Sequence, residues 1–134
     1  MRVVIDANVA IAAAASRGLC EAIFELCLEH HQIITCTALN EEIKTKLINK
    51  LRIPKPVVAD FVALLKDNAL MLEPELVDKS ACRDLKDLML LGLVRPGRVD
   101  AIITGDKDLL VVKEYNGARI VAPRDFWESN KKKK

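Results

Sequence analysis

Aromatic side chains are scarce in this chain: three Phe, one Tyr and one Trp among 134 residues. Proteins that hold single-stranded nucleic acid by stacking need such rings, so extensive base stacking is not expected. No apolar run approaches the roughly 18 residues of a membrane-spanning helix. The opening Met-Arg-Val-Val-Ile-Asp reaches a carboxylate at its sixth residue, which is wrong for a signal peptide. Cys20, Cys27, Cys36 and Cys82 form no Cys-x-x-Cys pair, so neither a zinc site nor a disulfide framework is indicated. Free thiols of this kind suit a cytoplasmic location. There is no P-loop, no Gly-x-Gly-x-x-Gly and no nucleophile elbow, which leaves NTP hydrolysis, dinucleotide binding and serine hydrolysis without support. The net charge of +2 is too small to argue for a nucleic-acid partner by itself.

What is present is a folded, single-domain composition: 51% apolar and 30% charged residues, with no internal repeat and no linker. Arg2–Asp6 reads as a fully buried strand, because a continuous β-branched run suits a sheet covered on both faces. Leu19–His30 is amphipathic, with Leu19, Ile23, Leu26 and Cys27 opposed to Glu21, Glu25 and Glu29. Gln32–Cys36 reads as a strand. Thr37 is expected to N-cap a helix over Ala38–Leu51, and Val57–Asn68 continues as another helix. Leu70–Leu72, Val99–Thr104 and Arg119–Ala122 are the remaining expected strands. A helix over Asp84–Val94, a short one over Lys107–Val111 and a last one from Pro123 lie between or after them. Strands alternating with helices predict an α/β fold in three layers, with a central parallel sheet of about five strands and helices on both faces. Residues 1–130 form one expected domain, and Lys131–Lys134 a basic C-terminal tail.

Acidic residues stand where this layout would place a ligand site. Asp6 closes Val3-Val4-Ile5, and Asp106 closes Ala101-Ile102-Ile103-Thr104-Gly105. A buried strand that ends in a carboxylate delivers that charge to the rim of the sheet, where open α/β sheets bind ligands. Glu42, Asp87 and Asp108 are the further candidates. At an effective dielectric of about 20 and a spacing of about 5 Å, each pair of carboxylates costs roughly 3 kcal/mol in repulsion. Oxygen-only ligands around such a cluster point to Mg²⁺ or Mn²⁺. Each acid also has an ordinary alternative. Glu42 is one of a Glu41-Glu42 pair at a helix start, Asp84 and Asp87 suit a cap or a surface charge, and Asp108 suits a first-turn charge.

The same blocks carry a family resemblance. Val4-Ile5-Asp6-Ala7-Asn8-Val9 resembles the opening of a PIN domain, and Thr37-Ala38-Leu39-Asn40-Glu41-Glu42-Ile43 is similar to the segment that brings in the family's Glu. Cys82-Arg83-Asp84-Leu85-Lys86-Asp87 resembles the Cys-Arg-Asp-Pro-x-Asp stretch of one PIN subgroup. Ala101–Leu110 resembles its Thr-Gly-Asp-x-Asp-Leu-Leu signature, and Ile120–Phe126 its terminal strand and Pro-Arg-x-Phe. This subgroup comprises toxin components of toxin–antitoxin systems, relatives of VapC-type toxins.

The resemblance implies a metal-dependent ribonuclease. It places catalytic and metal-binding roles on Asp6, Glu42, Asp87 and Asp106, a fifth metal contact on Asp108, and polar positions near the metal on Asn8 and Thr104. It also implies an RNA substrate, a small antitoxin partner and a homodimer. Two positions depart from the subgroup: Leu85 stands where Pro is usual, and Leu88 where a further Asp is frequent. Basic residues that could hold an RNA backbone crowd Lys44, Lys46, Lys50, Arg52 and Lys55, with Lys107, Arg95 and Arg98 near the Asp106 end. Two other readings compete with the toxin: a housekeeping RNA-processing nuclease using the same site, and a non-catalytic α/β module that merely binds Mg²⁺.

Overall fold

The computed structural model describes residues 1–131. Of the expected basic tail, residues 132–134 lie outside the described residues, while Lys131 ends the last helix.

The chain begins with β1 (Arg2–Ile5), whose Val3, Val4 and Ile5 are all buried. Successive strand residues point to opposite faces, so unbroken burial means that both faces are covered. Helices α1 (Ala7–Ala15) and α2 (Leu19–His30) lead to β2 (Gln32–Thr35), and α3 (Thr37–Asn49) and α4 (Lys55–Asn68) lead to β3 (Ala69–Met71). After two 3₁₀ turns, Lys79–Ala81 and Leu85–Asp87, come α5 (Leu88–Gly92), α6 (Val94–Gly97) and β4 (Ala101–Ile103). The chain ends with α7 (Lys107–Leu110), β5 (Glu114–Tyr115), β6 (Ala118–Val121) and α8 (Pro123–Lys131).

The strands form one sheet in the order β3-β2-β1-β4-β6-β5, parallel except for the β5–β6 pair. All five expected strands are present, and the antiparallel β5 is an addition. It is joined to β6 through Asn116 and Gly117, with φ of 47° and 88°. Positive φ at both central residues is the two-residue turn that matches strand twist, and Asn-Gly is its preferred sequence.

Three other segments differ from the sequence expectation. The stretch Ala7–Ala15 had no assignment and is helical: ANVAIAAAA lacks the polar face that marks an amphipathic helix, because Ala7, Val9, Ala10 and Ala13 are buried among other elements. The N-cap of α3 is Cys36, in extended conformation, and Thr37 is already inside the helix without a capping hydrogen bond. The expected Asp84–Val94 helix is broken into a 3₁₀ turn and two short helices.

The two short helices are closely packed at their glycines. A Cβ on Gly92 would lie 2.5 Å from the Glu75 carbonyl oxygen, so the segment after β3 presses directly on α5. Gly97 in α6 likewise lies flat on Ile34 of β2, where a Cβ would meet Cγ2 at 2.8 Å. Ile33, facing the other way, is equally buried. Among the helices, α1 packs against α2 and α3, α3 against α4, and α2 against α8. The core between runs from Val3 to Phe126. Each fully buried Ile, Leu or Phe contributes about 1.5–3 kcal/mol. No described helix is long and apolar enough to cross a membrane.

This strand order sets the site. From β1 the chain moves outward to β2 and β3, then returns to β4 on the other side of β1 and moves outward to β6. The connections therefore diverge between β1 and β4, and the crevice outside the carboxyl ends of those two strands is the expected ligand position.

Candidate metal centre

Asp6 follows β1 directly, and its backbone N–H donates to the Ile103 carbonyl of β4 at 3.0 Å. It is the N-cap residue of α1, yet its side chain makes no capping hydrogen bond. The carboxylate is instead fixed from β4: the Thr104 hydroxyl donates to Asp6 Oδ2 at 2.6 Å and accepts from the Asp106 backbone N–H at 3.0 Å. One fully buried hydroxyl thus ties the two strand-end acids together. Asp106 in turn N-caps α7, its Oδ1 accepting from the Asp108 backbone N–H at 2.9 Å.

Glu42 comes from the first turns of α3. Ile43 and Leu47 are buried, Glu41 is exposed and Glu42 lies between, at the edge of the buried stripe. Above it, the end of β2 is pinned by Thr35, whose hydroxyl donates to the buried Asn40 Oδ1 at 2.7 Å. Sequence reasoning gave no role to this pair, since an Asn beside two Glu at a helix start carries no signal of burial.

The third wall is the 3₁₀ turn Leu85–Asp87. Asp84 N-caps it by accepting from the Lys86 backbone N–H at 3.0 Å, and Asp87, 6% exposed, closes it. The Cys82 thiol bridges this turn to α7, lying 3.4 Å from the Asp108 carbonyl oxygen and 3.9 Å from Asp87 Oδ2. Burial, then the nearby acids, push the thiol up, so it stays protonated and can donate. In the sequence Cys82 is one of four free thiols and the first residue of the Cys-Arg-Asp block, with no role of its own assigned, and all four thiols are free here.

One cleft gathers these groups. It is lined by Asp6, Asn8, Glu42, Lys46, Asp84, Lys86, Asp87, Met89, Leu90 and Asp106. The four acids singled out first, Asp6, Glu42, Asp87 and Asp106, therefore meet, together with Asn8. Thr104 lies behind Asp6 rather than in the lining. Asp108 is not among the lining residues, and Asp84 takes the fifth acidic place. Oxygens of Asp84, Asp87 and Asp106 all lie within 4.8 Å of one another, while Asp6 and Glu42 stand outside that tight group. The spacing of Asp84 and Asp87, three apart, was the available signal for Asp84.

The electrostatics are those of a crowded anionic site. Asp87 is pushed up to about 7, first by burial and then by Asp106, Asp6 and Asp84 beside it. Burial also raises Asp6, against the Thr104 hydrogen bond and the Ala7 backbone N–H, with Glu42 and Asp106 adding repulsion. A donor set made only of oxygens, packed until its own charges disfavour ionisation, fits a hard dication such as Mg²⁺ or Mn²⁺. It offers nothing to a soft, thiolate-seeking metal.

Comparison with known proteins bears on the fold and the family. Among solved structures, the chain is similar to PAE2754 from Pyrobaculum aerophilum, with 15% identity, coverage of 96% of this chain and 94% of that one, and a TM-score of 0.63. It is also similar to VapBC2 from Rickettsia felis, solved bound to a DNA fragment from their promoter, with 10% identity, 91% and 98% coverage and a TM-score of 0.61. At these identities the likeness is one of fold. A search of curated protein sequences finds no match. The family model of the PIN domain matches residues 2–108, a span that holds all the acids of the cleft. The chain belongs to the PIN domain family.

Proposed function

We propose that this protein is a metal-dependent endoribonuclease and the toxin of a toxin–antitoxin pair. The observation that carries the reading is the convergence of carboxylates from four separate segments at the divergence point of the sheet. A bound Mg²⁺ or Mn²⁺ would lower the pKa of a water and offset charge on the scissile phosphate. Asp84, Asp87 and Asp106 are the residues proposed to hold it, with Asp6 and Glu42 completing the site from the sides. Thr104 orients Asp6 by donating to it, which opposes the upward push of burial on that carboxyl, and Asn8 offers an amide to the same cleft. No side-chain nucleophile is required, in keeping with a cleft that holds neither Ser nor His.

The toxin role is supported by membership of the family and by the fold shared with VapBC2. A protein partner and a second copy of the chain are part of the same proposal. Val57 and Leu64 on α4 are 52% and 44% exposed, and Leu70 and Met71 on the edge strand β3 are exposed beside them. Apolar surface of this kind is usual at sites of association.

The test is incubation of the purified protein with single-stranded RNA in Mg²⁺ or Mn²⁺. Cleavage is expected, stopped by chelator and absent in Asp106→Asn. RNA left intact by the wild type under all these ions would refute the nuclease. Light scattering addresses association separately: a dimer is expected, and a strictly 14.9 kDa species would exclude it.

A further inference from the structure

Lys46 differs from its basic neighbours. Lys44, Lys50, Arg52 and Lys55 are exposed, whereas Lys46 is half-buried and lines the acidic cleft. Its ammonium donates to Glu42 Oε2 at 2.9 Å, one helical turn back along α3. The spacing is that of an ordinary i,i+4 pair, but the carboxylate it holds belongs to the site. Lys86, the other cation of the cleft, is exposed.

We propose that Lys46 is a phosphate-binding residue held in place by Glu42 until a divalent ion enters the cleft. The inference rests on the nuclease reading and assigns one more residue to the same site. An ammonium and a dication cannot share Glu42 without repulsion. At about 6 Å in water-like surroundings that repulsion weakens ion binding about tenfold, and salt reduces the effect to several-fold. Entry of the ion therefore favours release of the ammonium from Glu42. Lysine suits the exchange, since its charge sits at the end of a flexible four-carbon stem and donates in any direction. The anion available to the displaced ammonium is a backbone phosphate drawn to the ion. Lys46 thus makes ion binding and RNA binding favour one another: the ion frees the ammonium, and the phosphate keeps it from returning.

The experiment compares wild type, Lys46→Met and Lys46→Arg, checked for equal melting in chelator. Mn²⁺ is titrated calorimetrically without RNA, and then a 2′-O-methyl RNA, checked by gel to stay intact through the titration, is titrated in saturating Mn²⁺ at several salt concentrations. Lys46→Met is expected to bind Mn²⁺ several-fold more tightly than wild type while binding the RNA more weakly. Its log–log salt slope should fall by about 0.7, the loss of one phosphate contact on a single strand. Lys46→Arg should keep the wild-type slope. A structural role for Lys46 would not tighten ion binding. Unchanged or weaker Mn²⁺ binding by Lys46→Met, or an unchanged salt slope, overturns the proposal. If the wild type cleaves RNA while Lys46→Met shows neither effect, only this inference fails. If ion binding tightens but no RNA is cleaved or bound, the nuclease reading fails and phosphate binding fails with it. A wild type that binds no Mn²⁺ overturns both.

Discussion

The two sides of the acidic cleft are built differently. Asp6 and Asp106 hang from adjacent parallel strands, locked by the β1–β4 register, by the Asp6 N–H to Ile103 bond and by the shared Thr104 hydroxyl. Asp84 and Asp87 belong to a 3₁₀ turn held by its own cap, by the Cys82 thiol and by the packing of Gly92 against the segment after β3. On the strand side, backbone hydrogen bonds to a neighbouring core strand place the carboxylates. On the loop side, local side-chain contacts do so. The strand side should therefore tolerate loss of a charge without moving, and the loop side should respond more to pH and to backbone substitution.

The largest effect is expected from breaking the strand side. Asp6→Asn or Asp106→Asn should lower RNA cleavage more than about a hundredfold, beyond the losses typical of residues that only support metal ligands. The same variants should melt no lower than wild type in chelator, because each removes one charge from a self-repelling cluster. A large fall in melting temperature would show that the acids serve a structural role instead. Thr104→Val tests the tie between them. Cleavage should drop about 10- to 100-fold, and stability should fall by about 1–3 kcal/mol as the buried Asp6 carboxylate loses its donor. Denaturant unfolding beside a cleavage assay reads both.

The loop side is sharpened by pH. Asp87 sits near 7 in the folded chain against an ordinary 3.8, so between those values the folded state holds more protons than the unfolded one. Stability in chelator should accordingly be highest at the acid end of that window and fall as pH rises through about 7. Asp6, raised in the same direction, adds to the trend. Asp87→Asn should flatten the profile, and a wild-type melting temperature independent of pH between about 4 and 7 would contradict the account. The smallest effect expected is a gain. Leu85 is exposed and opens the 3₁₀ turn, and Asp84 before it is extended at φ −87°, ψ 116°, a conformation compatible with a following proline. Leu85→Pro should stabilise by about 0.4–1 kcal/mol with activity retained.

The same contrast explains what the sequence made legible. Asp6 and Asp106 could be read because a β-branched run states both the strand and its end, and a carboxylate at that end has one place to go. Helix periodicity puts Glu42, rather than Glu41, beside the stripe of Ile43 and Leu47, and family resemblance then set Glu42 and Asp87 above the ordinary explanation of a single acid near a helix start. Asp84 rather than Asp108 lines the cleft, beside Asp87 in the 3₁₀ turn that it caps, where an unbroken helix was expected. The contact of Gly92 with Glu75 at the end of α5 is likewise one that local periodicity does not encode. Helix α1 was hidden by its nearly all-apolar composition, and β5 escaped although Asn116-Gly117 carried the hairpin signal. Thr35 and Asn40 had no signal at all, because their pairing exists only once β2 and α3 are in place.

Calorimetric titration of Mn²⁺ into the wild type and into Asp106→Asn tests most directly whether these acids form one ion site. Saturable binding by the wild type, weakened more than about a hundredfold in Asp106→Asn, is the expected result. Equal binding by the two proteins, or no binding by the wild type, would contradict it.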